Sequence, residues 1–328
     1  MGLHNCSPYV KMYKVTKYVT MYDTIGMYLD STDTNISYID YVPQFLDNCG
    51  IHKYGDSIVI TGWKDGLQIN VSQNKVKVAK GSLGKFYLND AFQTLRRGDS
   101  ERAIERLSDA LHLPMKRAKI TRIDLGQTLS MTYPEEVYYK YLGVTPYYKR
   151  KEQPNGIYYD NGNSQMAFYG KVREQKDKGQ FVESIYKNLN LLRYEYRTKN
   201  RIGKAFNMPQ VYAKDLYQED FYMNLLDRWG DKYSIINKIS KKMDSLKITG
   251  STKEIMDQLA FIGLLEVGYI DVYEKVREWQ VMGVIDKKQA SDLRKKLKAV
   301  SGIKIASEGN DLIIELDQKI NEAINNYR

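Results

Sequence analysis

Histidine is scarce in this chain, with three residues among 328, at His4, His52 and His112. They are far apart and form no HxH or HExxH, so a zinc site needing two histidines and a histidine-based triad are excluded as readings. Cysteine is scarcer, with only Cys6 and Cys49. Without a CxxC pair there is no metal spacing and no disulfide framework, which fits a reducing cytoplasm. No GxxxxGK[ST] segment occurs, which argues against a P-loop nucleotidase. Long apolar runs are missing too. The first twenty residues lack the continuous apolar stretch of a secretory signal. The most apolar later segment, residues 259–270, is broken by Glu266 and too short to span a bilayer. It reads as a buried helix, and no membrane partner is expected.

What is present is a hydrophobic fraction of 42%, enough for a sizeable core, and a net charge of +10. That balance points to an anionic partner, nucleic acid first. Tyrosine is abundant at 28 residues, so most must be structural aromatics.

The organisation reads as an N-terminal extension (1–20), an α+β unit (21–210) and a helical region (211–328). The expected fold is α+β, an antiparallel-rich sheet with helices on one side, followed by helices. A strand opens after Met21. Residues 37–48 read as a helix limited by Pro43. Short strands follow at 57–63, 67–72 and 75–81, with turns at Gly66 and Asn74. Residues 100–114 form the clearest helix, with Ser100 as N-cap and an apolar stripe of Ile104, Leu107 and Leu111. Residues 119–129 return to strand, and 132–143 to helix. Residues 156–160 and 164–172 form a hairpin around Asn161-Gly162. Residues 172–180 read as a polar loop, and 190–199 as the last strand. Thereafter the period is helical: Phe221, Leu225 and Trp229 share a stripe, and Gly268 and Gly283 punctuate residues 252–300. A strand–helix–strands plan starts at residue 22 and again at 119, suggesting duplication.

Three segments carry the chemistry: TRIDLG (121–126), MAFYGK (166–171) and LLRYEYR (191–197). On a strand, residues i and i+2 share a face. Arg122 then joins Asp124, Tyr169 joins Lys171 and Arg173, and Arg193 joins Glu195 and Arg197. Were these faces aligned, a phenol, two acids and several cations would converge. Asp124 and Glu195 could hold Mg²⁺ or Mn²⁺ through hard oxygen ligands. Lys171 would lower the phenol pKa of Tyr169, and Arg122, Arg193, Arg197 or Arg173 would clamp phosphate. The competing reading is structural, with Asp124–Arg193 and Glu195–Arg122 as plain cross-strand ion pairs. Tyr158 and Tyr159 are rival nucleophiles, whereas Tyr194 and Tyr196 fall on the opposite face and read as core. In the tail, six cations from Lys287 to Lys298 form a basic patch or a solvated helix face.

At these residues the chain resembles the phage/plasmid replication initiation proteins of the gene II/X type. It resembles more distantly the trans-acting initiators of small rolling-circle plasmids. The resemblance rests on MYDTI (21–25), Arg122-Ile123-Asp124, the YYKR-x-EQ-x-NG-x-YY stretch (147–159), Phe168-Tyr169-x-Lys171 and LRYExR (192–197), and covers about residues 21–230. It implies rolling-circle initiation: nicking and rejoining of origin DNA, single-stranded or as an extruded hairpin, through a 5′-phosphotyrosine. Tyr169 is the implied nucleophile with Lys171 beside it, and Asp124 and Glu195 are the implied metal carboxylates. Host helicase or polymerase would be further partners, in the bacterial cytoplasm. Two features depart from the pattern. The histidine pair of the HUH relatives is missing, and Gly170 stands where Asp or Asn is common. The alternatives are a non-catalytic origin-binding regulator and, ranked last, an RNA-binding protein with a base-stacking sheet.

Overall fold

Alternation decides the sheet. In the first strand, Ile25, Met27 and Leu29 are buried while Gly26, Tyr28 and Asp30 are half-exposed. The same two-residue period sends Ile69 and Val71, Val76 and Val78, and Ile123 and Leu125 to one shared core. The computed structural model describes residues 21–33, 36–238, 251–301 and 311–327. The expected extension at 1–20 lies outside the described residues.

The strands are β1 (Tyr22–Asp30), β2 (Asp47–Tyr54), β3 (Ser57–Lys64), β4 (Leu67–Ser72), β5 (Lys75–Lys80), β6 (Lys119–Met131), β7 (Lys149–Gln153), β8 (Gly156–Asp160), β9 (Ser164–Gly170) and β10 (Asn190–Thr198). They form one antiparallel sheet in the order β2-β3-β4-β5-β1-β6-β10-β9-β8-β7. The helices are α1 (Tyr38–Tyr41), α2 (Leu83–Leu88), α3 (Arg97–Leu111), α4 (Glu135–Tyr139), α5 (Lys171–Asp177), α6 (Ile202–Ala205), α7 (Glu219–Ser234), α8 (Thr252–Val267), α9 (Tyr269–Val281), α10 (Lys287–Ser301) and α11 (Asp311–Tyr327). The architecture is α+β, as expected.

The strand order contains the suspected duplication. Each half has a strand, a short helix and a four-strand meander whose last strand returns to pair with the first. The halves meet where β1 pairs with β6.

One sheet face packs on α3, α7 and α11, burying Ile104, Leu107, Leu225, Trp229 and Leu316 in the main core. Tyr194 faces the same side and stacks on Phe168, with ring centroids 4.5 Å apart. Tyr196 is buried in this core too, as expected. The opposite face is more open. It carries Asp124, Tyr169, Arg193 and Glu195, capped at one end by a small cluster of Phe92, Val172, Val182 and Leu191.

Several local expectations are corrected. Residues 37–48 do not form one helix. Pro43 opens a 3₁₀ turn at Val42–Phe45, and an exposed edge strand, β2, follows. Helix α3 starts at Arg97, and its capping box uses Arg96 and Asp99. Ser100 lies inside the first turn, its hydroxyl donating to the Arg97 carbonyl at 2.6 Å. Helix α4 is shorter than 132–143, because Pro134 stands before its first residue. Residues 171–177 are helical rather than a loop. Gly268 and Gly283 do punctuate the C-terminal helices, both with positive φ.

Helices α8 and α10 share a small cluster of Phe261, Leu264 and Val300. Helix α11 instead returns to the main core through Leu316, Ile320 and Ala323. Of the basic patch on α10, Arg294 donates to Gln280 at 2.8 Å and Lys298 lies 5.8 Å from the Tyr147 ring centre.

Candidate active site

Three cross-strand rows build the site. Thr128, Arg193, Tyr169 and Gly156 lie opposite one another, as do Gly126, Glu195, Ala167 and Tyr158, and then Asp124, Arg197 and Gln165. Directly opposed residues share a face. The sequence therefore brings Tyr169, Glu195, Asp124 and three arginines together, as their alternation predicts.

Two glycines make room for them. A Cβ on Gly126 would sit 2.7 Å from Glu195 Cγ and 2.9 Å from Arg193 Nε. A Cβ on Gly156 would sit 2.8 Å from Tyr169 Cβ and closer still to the Phe168 carbonyl. Only hydrogen at these positions lets long side chains lie flat across the neighbouring strand.

The Tyr169 hydroxyl donates to Glu195 Oε1 at 2.5 Å. Arg193 Nε donates to the same oxygen at 3.1 Å. Arg197 donates to Glu195 Oε2 from Nε at 2.8 Å and from Nη2 at 2.6 Å. Arg122 grips Asp124 bidentately at 2.8 and 2.6 Å. Arg197 also reaches within 3.9 Å of Asp124. The expected partners were Asp124 with Arg193 and Glu195 with Arg122. The pairs instead form along each strand, because i and i+2 are close enough for a bent arginine. Arg193 is fully buried and reaches Asp23 at 3.2 Å on β1.

Burial pushes the Asp124 carboxyl up to about 6, against the opposing pull of Arg122 and Arg197. Burial acts on Glu195 in the same sense, but Arg197 and Arg193 outweigh it and hold that carboxyl well below its usual range. Burial, followed by the Glu195 charge, pushes the Tyr169 phenol well above its ordinary value. The resting site thus keeps the phenol protonated and Glu195 ionised.

Lys171 and Arg173 do not share the Tyr169 strand face. Strand β9 ends at Gly170, and both belong to α5. Lys171 is buried nonetheless, with Nζ 5.8 Å from the Tyr169 ring centre and 3.1 Å from Glu174. Arg173 turns away to Glu136 at 3.6 Å and does not line the cleft. Gly170 has a steric reason: a Cβ there would collide with the Glu135 carboxylate of α4. An Asp or Asn fits there only if the Glu135 side chain turns away.

Of the rival nucleophiles, Tyr159 is fully buried and donates to the Gly143 carbonyl at 2.7 Å on the core side. Tyr158 stays on the site face, in the Glu195 row, and its hydroxyl reaches Asn155 at 3.4 Å.

A cleft of about 420 Å³ opens over these groups, lined by Asp23, Arg122, Asp124, Tyr169, Glu195 and Arg197 among others. Asp23 and Glu174 were missed from sequence. Asp23 lies in a strand whose alternation a bulge interrupts, and Glu174 lies in the segment read as a loop.

The acids fit a hard cation in ligand type but not in arrangement. All four oxygens of Asp124 and Glu195 accept guanidinium or phenol hydrogens. Among the described residues, no group of three or more His, Cys, Asp or Glu is placed to hold a metal ion.

No helix among the described residues is long and apolar enough to cross a membrane. No curated protein matches the chain. The family described as replication-associated protein G2P, N-terminal, matches residues 21–225, which begin at β1 and end inside α7. The match spans the whole sheet and every residue of the cleft, so the chain belongs to this family and its role lies in phage replication initiation.

Proposed function

We propose that this protein nicks and rejoins origin DNA through a covalent link between Tyr169 and a 5′-phosphate. The observation that carries the reading is the 2.5 Å hydrogen bond from Tyr169 to a carboxylate whose charge is held by Arg193 and Arg197. A phenol already paired with an ionised acceptor needs only a change in that acceptor's basicity to become a nucleophile.

A phosphate entering the cleft supplies that change. Its oxygens compete with Glu195 and Asp124 for Arg197 and Arg122, since guanidinium binds phosphate as it binds carboxylate. As Arg197 turns to the phosphate, Glu195 loses its main compensating charge and becomes a stronger base. The phenol proton then passes to Glu195 Oε1, and Tyr169 Oη bonds to phosphorus. The bond from phosphorus to the 3′ oxygen breaks, and that oxygen takes a proton from Lys171 or water. The product holds a free 3′-hydroxyl. The reverse sequence rejoins the strand. Arg122 and Arg197 stabilise the charge that builds on the phosphoryl oxygens.

The test is incubation with a single-stranded origin oligonucleotide in Mg²⁺, in Mn²⁺ and in chelator. A covalent adduct is expected with the natural chain. Tyr169→Phe forms none if the reading is right, and adduct at the natural rate in that variant overturns it.

The family role also allows a regulator that binds the origin without cutting. The ion-paired state of both acids is the observation in its favour. It predicts no adduct under any of these conditions, with duplex binding that is retained and strongly salt-dependent.

A further inference from the structure

A second cleft of about 650 Å³ adjoins the first on the same sheet face. The two share Gly26, Val78, Ala79 and Arg122, so they are continuous. The second is lined by Lys77, Arg122, Lys199, Arg201 and Lys204, and no carboxylate lines it. Arg122 is committed to Asp124 and Lys199 to Asp160 at 2.6 Å. Lys77, Arg201 and Lys204 are exposed.

Its floor is shaped for close approach. Gly26 leaves space directly over Arg122, where a Cβ would stand 3.0 Å from Arg122 Cβ. Tyr28 lies in the wall with its ring covered by Lys75 Nζ at 4.5 Å. A cationic trough with one tyrosine in its wall and no acids matches a flexible polyanion.

We infer that this groove holds the single DNA strand running away from the scissile phosphate. The inference rests on the nicking reading of the neighbouring cleft, because it assigns the strand's direction from that site. Cations then follow one another from Arg197 through Arg122 to Lys199 and Lys204. Arg197 near the end of β10 and Lys199 just beyond it stand roughly 7 Å apart at the usual rise of a strand.

The test measures binding without chemistry, in a Tyr169→Phe background and in chelator. Fluorescein-labelled oligothymidylate is titrated by anisotropy over a range of salt. The variant Lys77→Gln/Arg201→Gln/Lys204→Gln is expected to bind at least ten-fold more weakly at low salt. Its logarithmic salt slope should be shallower by about two, since each phosphate neutralised on a single strand contributes about 0.7. The charge-preserving Lys77→Arg/Arg201→Lys/Lys204→Arg chain should retain both values. An unchanged thermal midpoint in the neutral variant assigns the loss to the groove rather than to unfolding. Retained affinity and slope in the neutral variant overturn the inference, as does an equal loss on duplex DNA of the same length. Failure here leaves adduct formation by the natural chain to be judged separately, and absence of adduct leaves this binding result intact.

Discussion

At the residue scale, Asp124 and Glu195 respond to pH in opposite directions. The folded Asp124 value of about 6 lies above the ordinary 3.8, so between those values the folded chain binds more protons than the unfolded one. Stability from this residue is present at low pH and lost as pH rises towards 6. Glu195 is depressed from 4.5, so its contribution is present above 4.5 and lost as pH falls further. Between pH 4.5 and about 6, Asp124 acts alone of the two. Urea midpoints across this window should decline in the natural chain and flatten in Asp124→Asn. A decline of the same size in both would show that another group titrates there. Gly126 is the second residue to test. Gly126→Ala places a methyl group against Glu195 and Arg193, which should cost about 1–3 kcal/mol by overpacking. Adduct formation should drop with it, because the Glu195 carboxylate must shift from the Tyr169 hydroxyl. A natural urea midpoint and adduct rate in this variant would show that the pair has room to move.

At the element scale, the end of β9 decides where the cations go. Gly170 lets the chain pass Glu135 and turn into α5, so Lys171 stays beside Tyr169 while Arg173 leaves for Glu136. Gly170→Ala should destabilise by about 1 kcal/mol or less, because the half-buried Glu135 side chain can turn away, and Glu135→Ala should recover that loss in the double variant. Thermal or urea unfolding of the four chains checks this, and additive losses would contradict it. This is also where sequence reading failed. Alternation carries through Phe168 and Tyr169 and then on to Lys171 and Arg173, with no local signal that pairing stops at Gly170. The strands with buried faces were legible, because β1, β4, β6 and β10 alternate apolar and polar side chains. Strands β2 and β7 were not, since DNCGIHKY and KRKEQ are edge strands with little to bury. The site rows were legible for the residues on β6, β9 and β10. Asp23 was not, because it reaches Arg193 from a bulged strand whose register no local pattern states.

At the scale of the whole molecule, the last helix closes the unit that holds the cleft. Glu315 of α11 accepts from the Thr132 backbone at 2.7 Å, from the Thr132 hydroxyl at 2.8 Å and from the Tyr138 hydroxyl. These bonds fix the C-terminal end of β6, the strand that carries Asp124. Glu315→Ala leaves the Tyr138 hydroxyl and the Thr132 amide without that acceptor, which should cost about 1–3 kcal/mol in urea unfolding. An unchanged midpoint would show that α11 is not coupled to β6 through this residue. The duplicated strand plan gives the molecule two similar halves, but the acids and Tyr169 line only the cleft beside β6 and β10, and the neighbouring groove is cationic. One half therefore supplies most of the chemistry while the other adds Asp23 and part of the basic wall. The most direct measurement of covalent attachment at Tyr169 is mass spectrometry of the peptides from the protein–oligonucleotide adduct. A nucleotide 5′-phosphate on Tyr169 is the expected result. The same mass on Tyr158, or no modified peptide under any metal condition, would contradict it.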